Sequence, residues 1–394
     1  MIYADNAATT RLSRVALEAM LPFLEEEYGN PSSLYGLGQR ARTAMNAARK
    51  DIASALGANP KEILFTSGGT ESDNWALLSA AAKGFQKGKR HIVSTSFEHH
   101  AVLNTLNSLK SEGFDITLVN VSNDGIVRSE DIKNAIREDT CLVSVMYANN
   151  EIGTLQPIRE IGSICKERGI LFHSDAVQAV GHLPIDMSEE PVDLMSVSAH
   201  KFHGPKGVGL LYVRSGIDLP NLMQGGTQEF GKRPGTENLA SIAGMAAALR
   251  EAVQKIPQTS TRVSELRDLL IHKLSEIPHS SLNGDPVQRL PGNVNFCFEG
   301  VEGESLIYLL DQKGICASSG SACTSGSTDP SHVLLAIGRD YETAQSGLRL
   351  TLSEDITKEE ILMIANAVSE SVDTLRGISP TWKDLRNGKK PFKL

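Results

Sequence analysis

Short apolar runs alternate with helix-period stretches between residues 63 and 213. Ile63-Leu64-Phe65-Thr66 leads into a helix expected from Thr70. His91–Ser94 leads into one over 99–111, Ile116–Val121 into 132–137, and Leu142–Tyr147 into 158–168. Ile170–His173, Leu194–Ser198 and Val208–Val213 complete the series of expected strands. Runs this short and this uniformly apolar suit a parallel sheet, because helices cover both of its faces. The alternation predicts an α/β fold built on a mainly parallel sheet.

After Leu239 the period lengthens. Two helices are expected, over 239–255 and 260–276, separated at Pro257, since proline lacks an amide hydrogen and clashes with the preceding turn. A second cluster follows, with strands at Asn293–Phe298, near Ile315 and over 347–352, and helices at 304–312 and 358–374. It reads as a smaller α/β domain. The first 14 residues carry no sheet pattern and are expected to pack on it. The expected division is a large domain over 15–256 and a small one from 1–14 and 257–394, which fits 394 residues, beyond the ~250–300 where one core stops growing.

A formal net charge of −8 argues against non-specific nucleic-acid binding, which needs a basic face. The one basic cluster, Lys383 to Lys393, reads as a short solvated tail. No apolar run approaches the ~20 residues of a membrane span, and the N-terminus lacks the basic-then-apolar order of a signal peptide, so a cytoplasmic protein without a membrane partner is expected. Cys141, Cys165, Cys297, Cys316 and Cys323 are widely spaced with no CxxC, which argues against a disulfide framework or structural zinc. The first four read as buried small hydrophobes. Cys323 differs. It sits in Ser318-Ser319-Gly320-Ser321-Ala322-Cys323-Thr324-Ser325-Gly326, where a packing role is hard to find and an accessible reactive thiol is the better reading. That loop is expected to move.

Several other segments carry chemistry. Ser67-Gly68-Gly69-Thr70-Glu71-Ser72 joins a strand to a helix and suits either an anion or a plain helix start. Asp175 falls at the carboxyl end of a strand, where open α/β sheets bind ligands; a helix cap is the plainer alternative. Lys201 follows Ser198 and His200 at another strand end, where desolvation would free its amine for Schiff-base chemistry. Lys206, between Pro205 and Gly207, reads as a turn residue. His99 and His100 are adjacent and would point ~100° apart on a helix, and no metal-binding set is visible.

In these segments (the first extended to Ser67–Asn74), and in Asp5–Thr10, Gly29–Ser33, Glu98-His99, Asn149–Gly153, Asp175–Gln178, Ser198–Gly207, Arg233–Thr236 and Pro330–Leu334, the chain resembles the cysteine desulfurases of the aminotransferase class V group, particularly the bacterial forms serving iron–sulfur and nitrogenase maturation. The resemblance spans nearly the whole chain. It implies a pyridoxal 5'-phosphate (PLP) transferase of fold type I, with a seven-stranded sheet in its large domain. It implies that Lys201 holds PLP as a Schiff base, that Asp175 pairs with the pyridine nitrogen, that His99 stacks on the ring and assists proton transfer, and that Gln178 bonds the ring oxygen. Gly69, Thr70, Ser198 and His200 would hold the phosphate, and Thr236 that of the partner subunit in a homodimer. Asn30, Asn150 and Arg349 would receive the substrate carboxylate. Cys323 would accept the sulfur of L-cysteine as a persulfide, leaving L-alanine, and pass it to an iron–sulfur scaffold or another acceptor protein; transient ligation of an iron–sulfur cluster by Cys323 is implied as well. Two departures stand out: Leu34-Tyr35 where many relatives carry a histidine, and Gly69 where some have alanine, a change expected to be harmless. A selenocysteine lyase or a class V aminotransferase would share most of these residues, although an aminotransferase needs no cysteine loop. A non-enzymatic sulfur-relay scaffold would need few of them.

Overall fold

The computed structural model describes residues 1–319 and 329–394. Its largest sheet has seven strands, in the order Ile63–Thr66, Gly209–Val213, Leu194–Ser198, Leu171–Asp175, Thr140–Ser144, His91–Thr95 and Asp115–Val119. Gly209–Val213 runs antiparallel to both neighbours; every other pairing is parallel. Of the five inner strands, four are buried along their whole length and Leu171–Asp175 at every residue but the first, which is why they read as short, largely apolar runs. Asp115–Val119 lies at the edge and is half exposed. One face is covered by the helices Gly36–Ala55, Ile158–Arg168 and the first part of Leu239–Ser275; Gly69–Gln86 and His100–Ser111 cover the other.

A second core gathers on an antiparallel sheet of Gly347–Thr351, Asn293–Phe298 and Ser280–Leu282. Ile2–Tyr3 pairs in parallel with Ile315–Cys316, and Ile2 and Ala4 are buried in this core.

The expected break at Pro257 does not occur. Leu239–Ser275 is one helix of 37 residues with Pro257 inside it. Residues up to Leu249 are buried in the first core and Val263 to Leu274 in the second, while Pro257 itself is exposed. Burial at both ends outweighs the ~3 kcal/mol that proline costs a helix interior. The basic residues of the tail, Lys383, Arg386, Lys389, Lys390 and Lys393, are exposed as expected, but the segment is also anchored. Pro380–Arg386 is helical, the Phe392 ring stacks on His279 with centroids 3.6 Å apart, and the Lys393 N–H donates to Glu299. Three of the four cysteines expected to be buried are so; Cys316 is half-buried.

The buried pair of Arg49 and Glu229 ties helix Gly36–Ala55 to the sheet. Arg49 Nη2 lies 2.6 Å from Glu229 Oε1 and Nη1 2.8 Å from Oε2, both side chains being almost wholly buried. Glu229 Oε2 also accepts the Phe65 N–H at 2.8 Å. Glu229→Ala strands the guanidinium and should cost ~3–5 kcal/mol in denaturant unfolding, whereas replacing both partners by apolar residues of similar size should cost much less. Equal losses in the two variants would show that the pair's charge is not what matters.

Candidate active site

Two parallel strands set the floor of the site. Leu171–Asp175 ends in Asp175, and beside it Leu194–Ser198 runs through Ser198 into a short 3₁₀ turn, Ala199–Lys201. The strand Ile63–Thr66 turns through Gly68, whose φ of 152° favours glycine, into helix Gly69–Gln86. These carboxyl-edge elements converge on a cavity of about 220 Å³. Gly69, Thr70, His99, Asn150, Asp175, Gln178, Ser198, His200, Lys201 and Arg349 all line it. Asn30 does not. It is exposed in the segment before Gly36–Ala55, and its Oδ1 accepts the Ser32 N–H at 2.8 Å. Thr236 lines a separate cavity with Ser67, Arg233 and Gly235. Cys323, with its expected mobile loop, lies outside the described residues.

The N-terminal segment closes the cavity. Lys201 Nζ donates to Ala7 O at 2.6 Å and Ala8 O at 2.9 Å, and Gln178 Nε2 donates to Ala7 O at 3.0 Å. His182 Nε2 lies 2.9 Å from Lys201 O, fixing the main chain behind the amine. Lys206 is exposed in the following turn. Arg349 comes from the second core: Nη2 donates to Asp5 at 2.8 Å and Nη1 to Asn150 O at 3.2 Å, while its buried Nε has no hydrogen-bond partner. His99 caps helix His100–Ser111, its Nδ1 accepting the Ala101 N–H at 3.1 Å, which leaves Nε2 as the donor of a neutral ring.

Electrostatics separates the groups. Burial, with Lys201 and Lys206 nearby, pushes His200 down to about 4, and burial pushes His173, behind Asp175, down to about 3, so both rings are neutral near pH 7. Burial raises Asp175, against the opposing pull of His99, the Val177 N–H and Lys201. Burial lifts Glu98 to about 8 despite its hydrogen bonds from Thr95 and Met146 N–H.

Sequence reasoning missed several groups here. Ala7 and Ala8 act through backbone carbonyls, which no side-chain pattern reports. Asp73 and Glu151 also line the cavity, as does His332, whose Nε2 lies 2.9 Å from Glu98 O. Glu71 holds Arg233 through two contacts of 2.8 and 3.1 Å, fixing the Thr236 turn beside the start of Gly69–Gln86. Asp73 and Glu71 stood in a recognised motif; their charge among small residues was the available signal. An alanine Cβ at position 69 would lie 2.6 Å from Val177 Cγ2, so the Val177 side chain would have to shift to admit it.

A profile of the aminotransferase class-V family matches residues 2–364. The chain belongs to that family. The cysteine desulfurase IscS of Clostridium botulinum is similar at 49% identity over 391 residues, covering 98% of each chain. IscS of Methanosarcina thermophila is 50% identical over 386 residues, covering 98% of this chain and 95% of the relative. Among solved structures, a NifS-like protein superimposes with a TM-score of 0.89 at 39% identity, covering 95% of this chain and 99% of its own. SspA, solved in complex with cysteine, gives a TM-score of 0.80 at 36% identity, covering 89% and 99%. These neighbours share the class-V architecture of a large, mostly parallel sheet flanked by helices.

Glu98 supplies a test of site electrostatics. Its proton stays bound in the folded chain up to about pH 8 and leaves near pH 4.5 on unfolding. Its contribution to stability is therefore full below about 4.5 and declines as pH rises to about 8. Glu98→Gln should flatten that decline in urea unfolding of the cofactor-free protein. Parallel pH profiles for the two proteins would disprove the raised pKa.

Proposed function

We propose that this chain is a PLP-dependent cysteine desulfurase that moves the sulfur of L-cysteine to Cys323 and leaves L-alanine. The observation that carries the reading is one cavity holding the Lys201 amine, the Asp175 carboxylate and the Arg349 guanidinium, in a chain similar over nearly its full length to proteins named cysteine desulfurase.

The donor set fits the cofactor. The N-terminus of Gly69–Gln86, with Thr70, Ser198 and neutral His200, suits a phosphate; Asp175 suits a ring nitrogen; His99 supplies an aromatic face. When bound, PLP supplies the electron-withdrawing ring that makes the substrate's α-proton removable. Lys201 Nζ would hold the cofactor and, once the incoming substrate amine has displaced it, would be free to take that proton. Asp175 would keep a proton on the ring nitrogen, and Gln178 would bond the ring oxygen. Arg349, steadied by Asp5, would receive the substrate carboxylate beside Asn150. His99 serves as the acid/base for the thiol chemistry.

The working unit in this reading is a homodimer. Thr236 lies outside its own chain's cavity, held beside the helix start by Arg233 and Glu71, which supports a role in the partner's phosphate site. Residues 15–256 act as the cofactor unit, and 1–14 with 257–394 as the smaller unit carrying Cys323; burial of Ile2 and Ala4 in the second core supports this division. The persulfide goes on to an iron–sulfur scaffold or another acceptor protein.

Lys201→Ala should abolish the covalent PLP absorbance and alanine formation from cysteine, while Lys206→Ala keeps both. The reverse pattern removes Lys201 from its role. Cys323→Ser should bind PLP and cysteine yet release no sulfide, and mass spectrometry of the parent after cysteine should place a gain of ~32 Da on Cys323. An adduct on Cys297 or Cys316, or normal turnover of the serine variant, would overturn the assignment.

A further inference from the structure

Asp73 has no part in the roles above, yet it lies in the site. It is 1% exposed, on the second turn of helix Gly69–Gln86, and lines the cavity. Ligating atoms of Asp73, His99 and Asp175 all lie within 4.8 Å of one another. Asp73 Oδ1 has no hydrogen-bond partner.

We propose that Asp73 is a positioning residue that carries the single proton of a buried Asp73–Asp175 pair, so that Asp175 alone presents negative charge to the cofactor's ring nitrogen. The inference rests on the PLP reading and deepens it. Two buried carboxylates this close cannot both ionise, because neither water nor distance weakens their repulsion. The surroundings decide which one keeps the proton. Asp175 accepts the Val177 N–H at 2.9 Å, and that bond together with nearby His99 and Lys201 favours its ionised form. Asp73 accepts no backbone N–H among the described residues, and what acts on it most is burial and the charge of Asp175. His173 Nε2 is 3.5 Å away, but that ring is neutral; Ser196 offers a hydroxyl, and buried Glu98 adds only further repulsion if it ionises. Burial and Asp175 together hold Asp73 well above the usual carboxylate range. A neutral acid beside Asp175 can direct that carboxylate without competing for the ring nitrogen's charge, which is the division of labour expected when environments push two acids apart.

Infrared spectroscopy with ¹³C-labelled aspartate tests the proton's place without activity. The cofactor-free parent should show a protonated-acid carbonyl band at about pH 7, well above aspartate's ordinary range, and the band should persist when PLP is added and vanish in Asp73→Asn. No band in the parent, or a band retained in Asp73→Asn, overturns the proposal. PLP titration of refolded apoprotein supplies the second readout. Asp73→Asn, a neutral donor of the same shape, should bind PLP within about threefold of the parent across the pH range, whereas Asp73→Leu should weaken binding about tenfold or more. A pH profile displaced in Asp73→Asn, or unchanged affinity in Asp73→Leu, also overturns it. Should Asp73→Leu not fold, the asparagine variant and the parent's band decide. A parent that binds no PLP sinks the functional reading, while the infrared band still judges the pair.

Discussion

The site depends on the crossing of the N-terminal segment between the two cores. Ile2 and Ala4 are buried in the second core, Asp5 pairs with Arg349, Ala7 and Ala8 accept from Lys201, and the Thr10 hydroxyl donates to His200 O. Each contact joins residues nearly two hundred or more positions apart. Buried backbone carbonyls must find donors, and here the donors are the groups with chemical work to do. The His203 ring continues the seam: Nδ1 lies 2.9 Å from Arg11 O and Nε2 3.1 Å from Glu354 Oε2. The second core thus contributes both the guanidinium and the strap that fixes the amine.

Around this seam the charge is sorted by burial. Neutral His173 and His200 remove two cations that would otherwise compete with Lys201 and Arg349 for anions. Raised Asp73, Asp175 and Glu98 limit the negative charge on the floor. What remains suits a ligand with a phosphate at one end, a ring nitrogen at the other and an aldehyde between, followed by a substrate bearing a carboxylate.

The parallel sheet was legible because its strands are buried on both faces and so are written as short apolar runs between helical periods. Lys201, Asp175 and Gly69–Thr70 were legible because each follows such a run at a strand's carboxyl end. Pro257 misled because local propensity was weighed alone; burial of Leu239–Leu249 and Val263–Leu274 in two different cores carries the helix through it. The tail's charges are exposed as expected, and only its anchoring by Phe392 on His279 went unforeseen, because the partner ring is over a hundred positions away. Asn30 and Thr236 were grouped with the site by resemblance, and neither lines the cavity of its own chain.

The sequence by itself determined the α/β class, the strand ends that bear Asp175, Ser198 and Lys201, and the family. Each of these is local: period, punctuation and motif lie within a few residues of one another. Tertiary structure decided which carbonyls hold the Lys201 amine, that Asp5 steadies Arg349, and that Asp73 comes to lie against Asp175. Those contacts join strands, helix and chain terminus across long separations. The energies that select them, desolvation and the repulsion of like charges in a dry interior, exist only once the chain has packed.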